Sequence, residues 1–127
     1  MKRTPLRKYH KKTKAAQKRQ CDALWAQLIK LKHPFCLCGE PSTDAHHIYG
    51  RASSPHLRHE PLNGVGLCRA CHDEEGNRPW VLGFMQESKK AWLWGIESIN
   101  GKTHFKPDYT EICTRLQGMI DELLQRD

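Results

Sequence analysis

Two close pairs of cysteines carry the clearest chemistry in this chain: Cys36-Leu37-Cys38-Gly39 and, after a loop of 29 residues, Cys68-Arg69-Ala70-Cys71. Thiolates presented as two pairs can close a tetrahedron on Zn²⁺, and a glycine after the second cysteine relieves the tight turn of such a knuckle. Cys36, Cys38, Cys68 and Cys71 are therefore expected to bind a structural zinc. The first pair is one residue shorter than the common C-x-x-C. That leaves open whether Cys36 reaches the ion or whether a histidine of the neighbouring His46-His47 pair takes its place. Cys21 and Cys113 fall on apolar helical faces and read as small buried hydrophobes.

A second constellation is Asp44-Ala45-His46-His47-Ile48, then Asn63, then His72 directly after Cys71. On a strand, adjacent His46 and His47 point to opposite faces, so one can bind a metal while the other addresses water. Phosphodiester cleavage needs a nucleophilic water, neutralisation of the charge on the scissile phosphate and a stabilised leaving oxygen. A metal with two protein ligands keeps positions open for phosphate oxygens and water. An imidazole titrating near neutrality can accept the water's proton. Arg51 could clamp the phosphate by bidentate contacts, or be a solvated loop arginine.

At these residues the sequence resembles the HNH endonuclease family, which has the ββα-metal fold. The resemblance rests on D-A-H-H-I and N-G-V-G-L-C-R-A-C-H and covers residues 36–77, about a third of the chain. The order Asn63-x4-Cys68-x2-Cys71-His72 resembles the zinc-stapled branch, many of whose members occur in bacteriophages and mobile elements. The resemblance implies that His46 and His72 ligate one catalytic divalent ion. It makes His47 the general base, with Asn63 holding the loop and orienting that base. Mg²⁺ or Mn²⁺ is the expected ion, although two imidazoles also suit Ni²⁺, Co²⁺ or Zn²⁺. The products would carry a 5′-phosphate and a 3′-hydroxyl. Where family members often have a lysine three residues after the last histidine, this chain has Glu75, so that phosphate contact does not carry over.

Charge points the same way. Of 21 Lys/Arg, nine fall in residues 1–20 with no acid among them; the remaining 12 face all 14 Asp/Glu. The net charge of +7 thus belongs to an N-terminal arm. Such an arm suits a polyanion, because Lys and Arg displace counterions from phosphates without a fixed shape. Lys2, Arg3, Arg7, Lys8, Lys11 and Lys12 are expected to contact DNA. No run of 18 apolar residues and no secretory signal is present, so the expected setting is reducing and cytoplasmic, the host's if the chain is phage-encoded. DNA is the expected partner, with no membrane and no small-molecule substrate.

The elements that must position these groups follow from periodicity. Cys21, Leu24, Trp25, Leu28 and Ile29 share one helical face, from about Thr13 to a stop at His33-Pro34. Asp44 to Tyr49 and Val65 to Leu67 read as strands, separated by a long loop, Gly50 to Pro61, of the kind often functional or mobile. In that loop His56 and His59 read as exposed. Beyond Asn77, Val81, Met85, Ser88, Trp92, Ile96 and Ile99 make a helical stripe ending at Asn100-Gly101. Trp80, Trp92 and Trp94 could stack on bases, with core packing favoured for Trp92. Asp108 with Glu111 has the form of a capping box before a last amphipathic helix.

The expected fold class is α+β: a small ββα-metal core with structural zinc, flanked by N- and C-terminal helices. Residues 1–20 form the arm, running into a helix to about 33; residues 34–78 form the nuclease core; residues 79–127 form a helical extension. The alternative function is a non-catalytic zinc-stabilised module that binds nucleic acid.

Overall fold

The computed structural model describes residues 13–51, 55–74, 77–97 and 106–126, and for 91–97 the backbone alone. The arm residues Lys2, Arg3, Arg7, Lys8, Lys11 and Lys12 lie outside the described residues, as do Glu75, Ile99, Asn100-Gly101 and the side chains of Trp92, Trp94 and Ile96.

Thr13 starts helix α1 (Lys14–Lys32) by accepting the Ala16 N–H on its hydroxyl at 3.1 Å. Lys30 and Lys32 complement the dipole in the last turn, and Pro34 cannot continue the helix. The expected apolar face is buried at Cys21, Trp25, Leu28 and Ile29. It meets the C-terminal helix, here α4 (Tyr109–Gln125), which buries Leu116 and Ile120. Asp108 caps α4, taking the Glu111 N–H at 3.1 Å.

Strands β1 (Asp44–His47) and β2 (Gly64–Leu67) pair antiparallel, with His46 opposite Val65 and His47 opposite Gly64. The first strand is shorter than its sequence suggests because a side chain interrupts the ladder: the Tyr49 N–H bonds to Asn63 Oδ1 at 2.8 Å. β2 is buried throughout and presses on α1. A Cβ on Gly64 would stand 2.6 Å from Trp25 Cζ2 and 2.7 Å from Ile29, so only glycine allows that approach.

Cys68 begins the short helix α2 (Arg69–Asp73), and Pro79 opens α3 (Pro79–Glu97). Val81 of α3 is fully buried against Cys36, Val65, Leu67 and Cys71, with Phe84 and Met85 beside it. Trp80 is half exposed under the Arg78 guanidinium, 5.6 Å from its ring centre, and does not enter the core. Among the described residues the chain is thus a small α+β protein with four helices and a two-stranded antiparallel sheet. None of these helices is long and apolar enough to cross a membrane.

The loop before β2 departs from expectation. It contains a 3₁₀ turn at Pro55–Leu57, and Leu57 is buried. His59, expected to be exposed and idle, is 6% exposed and bonded to Asp22, because the Asp22 carboxylate draws both Arg58 and His59 onto α1.

Candidate active site and metal centre

The chain folds Phe35 back against Pro41, and within that turn the Gly39 N–H bonds to Cys36 O at 2.9 Å. Gly39 has φ +99°, a conformation that costs glycine little, which is how so short a C-x-C turn closes. Across from it, Cys68 Sγ accepts the Cys71 N–H at 3.5 Å. The four sulfurs lie within 4.8 Å of one another, and the cluster could hold a metal such as zinc. Two thiolates each ~2.3 Å from a tetrahedral ion stand ~3.8 Å apart; Cys38 Sγ and Cys68 Sγ are 3.7 Å apart. Cys36 therefore belongs to the cluster despite its spacing, and neither His46 nor His47 replaces it. Burial pushes the Cys36 thiol up, but backbone donors at Cys38 and Cys68 and the neighbouring thiols outweigh it and bring it down to about 7. Burial and the same thiols push Cys71 up to about 12. If all four ionised, their charge would need a cation to offset it.

Directly after Cys71 the chain delivers His72, and β1 brings His46 to meet it. The two ring centres are 4.8 Å apart, with planes crossing at 70°. Imidazoles ligating one ion at ~2.1 Å hold their centroids roughly 4.5–5.3 Å apart for ordinary ligand angles, so this separation suits a shared ion. Asp44 lies two residues before His46, hence on the same side of β1. Its Oδ2 accepts the His72 Nδ1–H at 2.8 Å, which turns the lone pair of Nε2 outward, as in carboxylate–histidine–metal triads. The bond from His72 holds the Asp44 carboxyl below the usual carboxylate range, and Arg69 lies 3.4 Å away.

His47 leaves β1 on the other side. Its ring stacks on Trp25 with centroids 3.9 Å apart, and its Nε2–H donates to Arg58 O at 2.8 Å. Nδ1 is then the nitrogen left with a lone pair. Burial keeps the His47 pKa below the ordinary imidazole value, so the ring is neutral at pH 7. Trp25 is itself fixed by an Nε1–H bond to Glu60 O at 2.8 Å. Arg58 is fixed by a two-point contact with Asp22 at 2.8 and 2.6 Å. Fully buried Asn63 bonds the N–H and C=O of Tyr49 and, at 3.0 Å, Leu57 O. It ties both ends of the loop whose Arg58 carbonyl holds His47.

His46, His47, His72 and Arg51 line one open cleft of about 470 Å³, with Asp22 and Trp25 behind them. Arg51 is exposed. Asp44, Asp22, Arg58 and Trp25 have positioning parts that the sequence reading did not assign. Only Asp44 had a visible signal, its two-residue spacing from His46. No family model, curated protein or solved structure matches the chain.

Proposed function

We propose that the chain is a metal-dependent endonuclease of the HNH type, which hydrolyses phosphodiester bonds of DNA at the cleft of His46, His47 and His72. The sheet, α2 and the cysteine cluster would then be its ββα-metal core and structural zinc. What carries the reading is the meeting of His46 and His72, from distant parts of the chain, at a separation that suits one shared ion.

His46 and the Nε2 of His72 would hold the divalent cation, the expected Mg²⁺ or Mn²⁺, although two imidazoles suit Ni²⁺, Co²⁺ or Zn²⁺ better. When bound there it supplies Lewis-acid neutralisation of the scissile phosphate and the leaving oxygen. His47 does the proton work. Arg58 O keeps Nε2 protonated, so the proton of the attacking water passes to Nδ1. Stacking on Trp25 keeps the ring from turning away. Arg51, which also lines this cleft, would contact a phosphate oxygen, and the arm of residues 1–12 would add affinity with little sequence preference.

The test is incubation of the purified protein with supercoiled plasmid and Mg²⁺, Mn²⁺ or Ni²⁺, beside His47→Ala. Nicking that disappears in the variant supports the nuclease. Equal DNA binding by both proteins without cleavage in any metal overturns it in favour of the non-catalytic zinc-stabilised module.

A further inference from the structure

A second cleft, of about 530 Å³, opens where the first turns of α1 meet the start of α4. Lys14, Lys18 and Lys106 line it, with Tyr109 as a half-buried wall and no acid among the lining residues. Among the described residues none of these three ammonium groups is paired with a carboxylate. Cations gathered around one concavity repel one another and focus a positive potential into it, a setting that favours an anionic guest.

The position of this cleft relative to the imidazoles matters more than its charge. Lys14, Lys18, Asp22 and Ala26 follow one another at intervals of four and so form one row along α1. The first two line the lysine cleft; the last two line the cleft of His46 and His47. Eight residues of helix at ~1.5 Å each separate the two by ~12 Å, which is about two phosphate steps of a duplex strand, because the phosphates of a winding strand stand roughly twice the ~3.4 Å axial rise apart. Asp22, the one acid in α1, lies between them. It would repel a passing phosphate, but the Arg58 guanidinium and the His59 N–H cover both of its oxygens.

The geometry points to a second phosphate-binding site: Lys14, Lys18 and Lys106 hold the backbone of the DNA flanking the bond at the imidazole cleft, about two nucleotides away. This rests on DNA being the substrate. The arm joins α1 directly before Lys14, so its cations continue the same track in sequence.

The experiment uses the full chain carrying Lys14→Gln, Lys18→Gln and Lys106→Gln, a fluorescein-labelled duplex and no added divalent ion, with binding read by anisotropy over a range of salt. The slope of log K against log salt should fall by roughly 2–3, at ~0.9 per phosphate contact, with at least ~10-fold weaker binding. The single variant Lys106→Gln should lower the slope by about 1, and all variants should keep the parent melting temperature. A control with Lys30→Gln, Lys89→Gln and Lys90→Gln removes equal charge elsewhere and should change the slope far less. An unchanged slope in the cleft variant, or an equal fall in the control, overturns the site. Displacement of the duplex by sub-millimolar inorganic phosphate at constant ionic strength would make it a free-phosphate site and also overturn the proposal. Plasmid cutting by the parent separates this idea from the nuclease reading. Cutting with an unaltered slope in the variant removes only the lysine site, whereas a reduced slope in a protein that never cuts removes only the nuclease.

Discussion

The indole of Trp25 and the imidazole of His47 lie face to face, 3.9 Å between centres and 8° from parallel. A side chain chosen for the core of α1 thereby becomes one wall of the candidate site. With Arg58 O at the far end of the ring, His47 has one orientation and one tautomer. Its pairing with the cleft is set by packing before any ligand arrives.

Asp44→Asn should weaken divalent-metal binding ~10–100-fold, because a neutral amide accepts the His72 Nδ1–H more weakly than the carboxylate does and can turn its NH2 to the ring instead, so the lone pair of Nε2 is held less firmly. Calorimetry with Mn²⁺ or Ni²⁺ measures it. Affinity equal to the parent's would show that the bond from Asp44 does not position His72 for a metal.

Elemental analysis should find one zinc per chain at the cysteine cluster. Stripping it with a chelator should lower the melting temperature by at least ~10 °C, a few kilocalories per mole in a domain this small, and zinc should restore it. Cys36→Ser should reproduce most of that loss. A Cys36→Ser protein that keeps its zinc and its melting point would remove Cys36 from the set.

Stability should fall with acid from near neutrality downward. Burial holds the pKa of His59 below its ordinary 6.5, against the pull of Asp22. The unfolded chain therefore takes up the proton first; the contribution is complete above 6.5 and is lost as pH drops toward the folded value. His47 and His33 are shifted the same way by burial. His59→Gln keeps a donor for Asp22 without titrating, so urea unfolding across pH 5–7.5 should show a shallower slope. An identical slope would contradict the assignment.

Gly64→Ala should cost ~1–3 kcal/mol by forcing Trp25 and Ile29 off β2. Because Trp25 carries His47, DNA cleavage should fall by more than folded protein does. Urea titration and cleavage at matched folded fraction test this; a variant as stable as the parent would mean the contact relaxes freely.

Much of this arrangement was legible from residue order. The start of α1 near Thr13, the capping of α4, both strands, the cysteine cluster and the opposite facing of His46 and His47 follow from local rules of spacing and hydrogen bonding. The loop from Gly50 to Pro61 did not yield to such rules. Its composition gives only turn formers, whereas Leu57 to His59 are held by Asp22 on α1 and by Asn63, contacts with no local signature. For the same reason His59 read as exposed and Trp25 read as core alone: in each case the deciding partner lies more than 20 residues away along the chain.

The grip of Asn63 on both Tyr49 and Leu57 has a use in engineering. Closing a longer segment between fixed feet costs only ~0.6 kcal/mol for each doubling of its length. Extra residues grafted between Gly50 and Pro55 should therefore leave these Asn63 bonds and the histidines undisturbed. New selectivity could be built there without redesigning the scaffold.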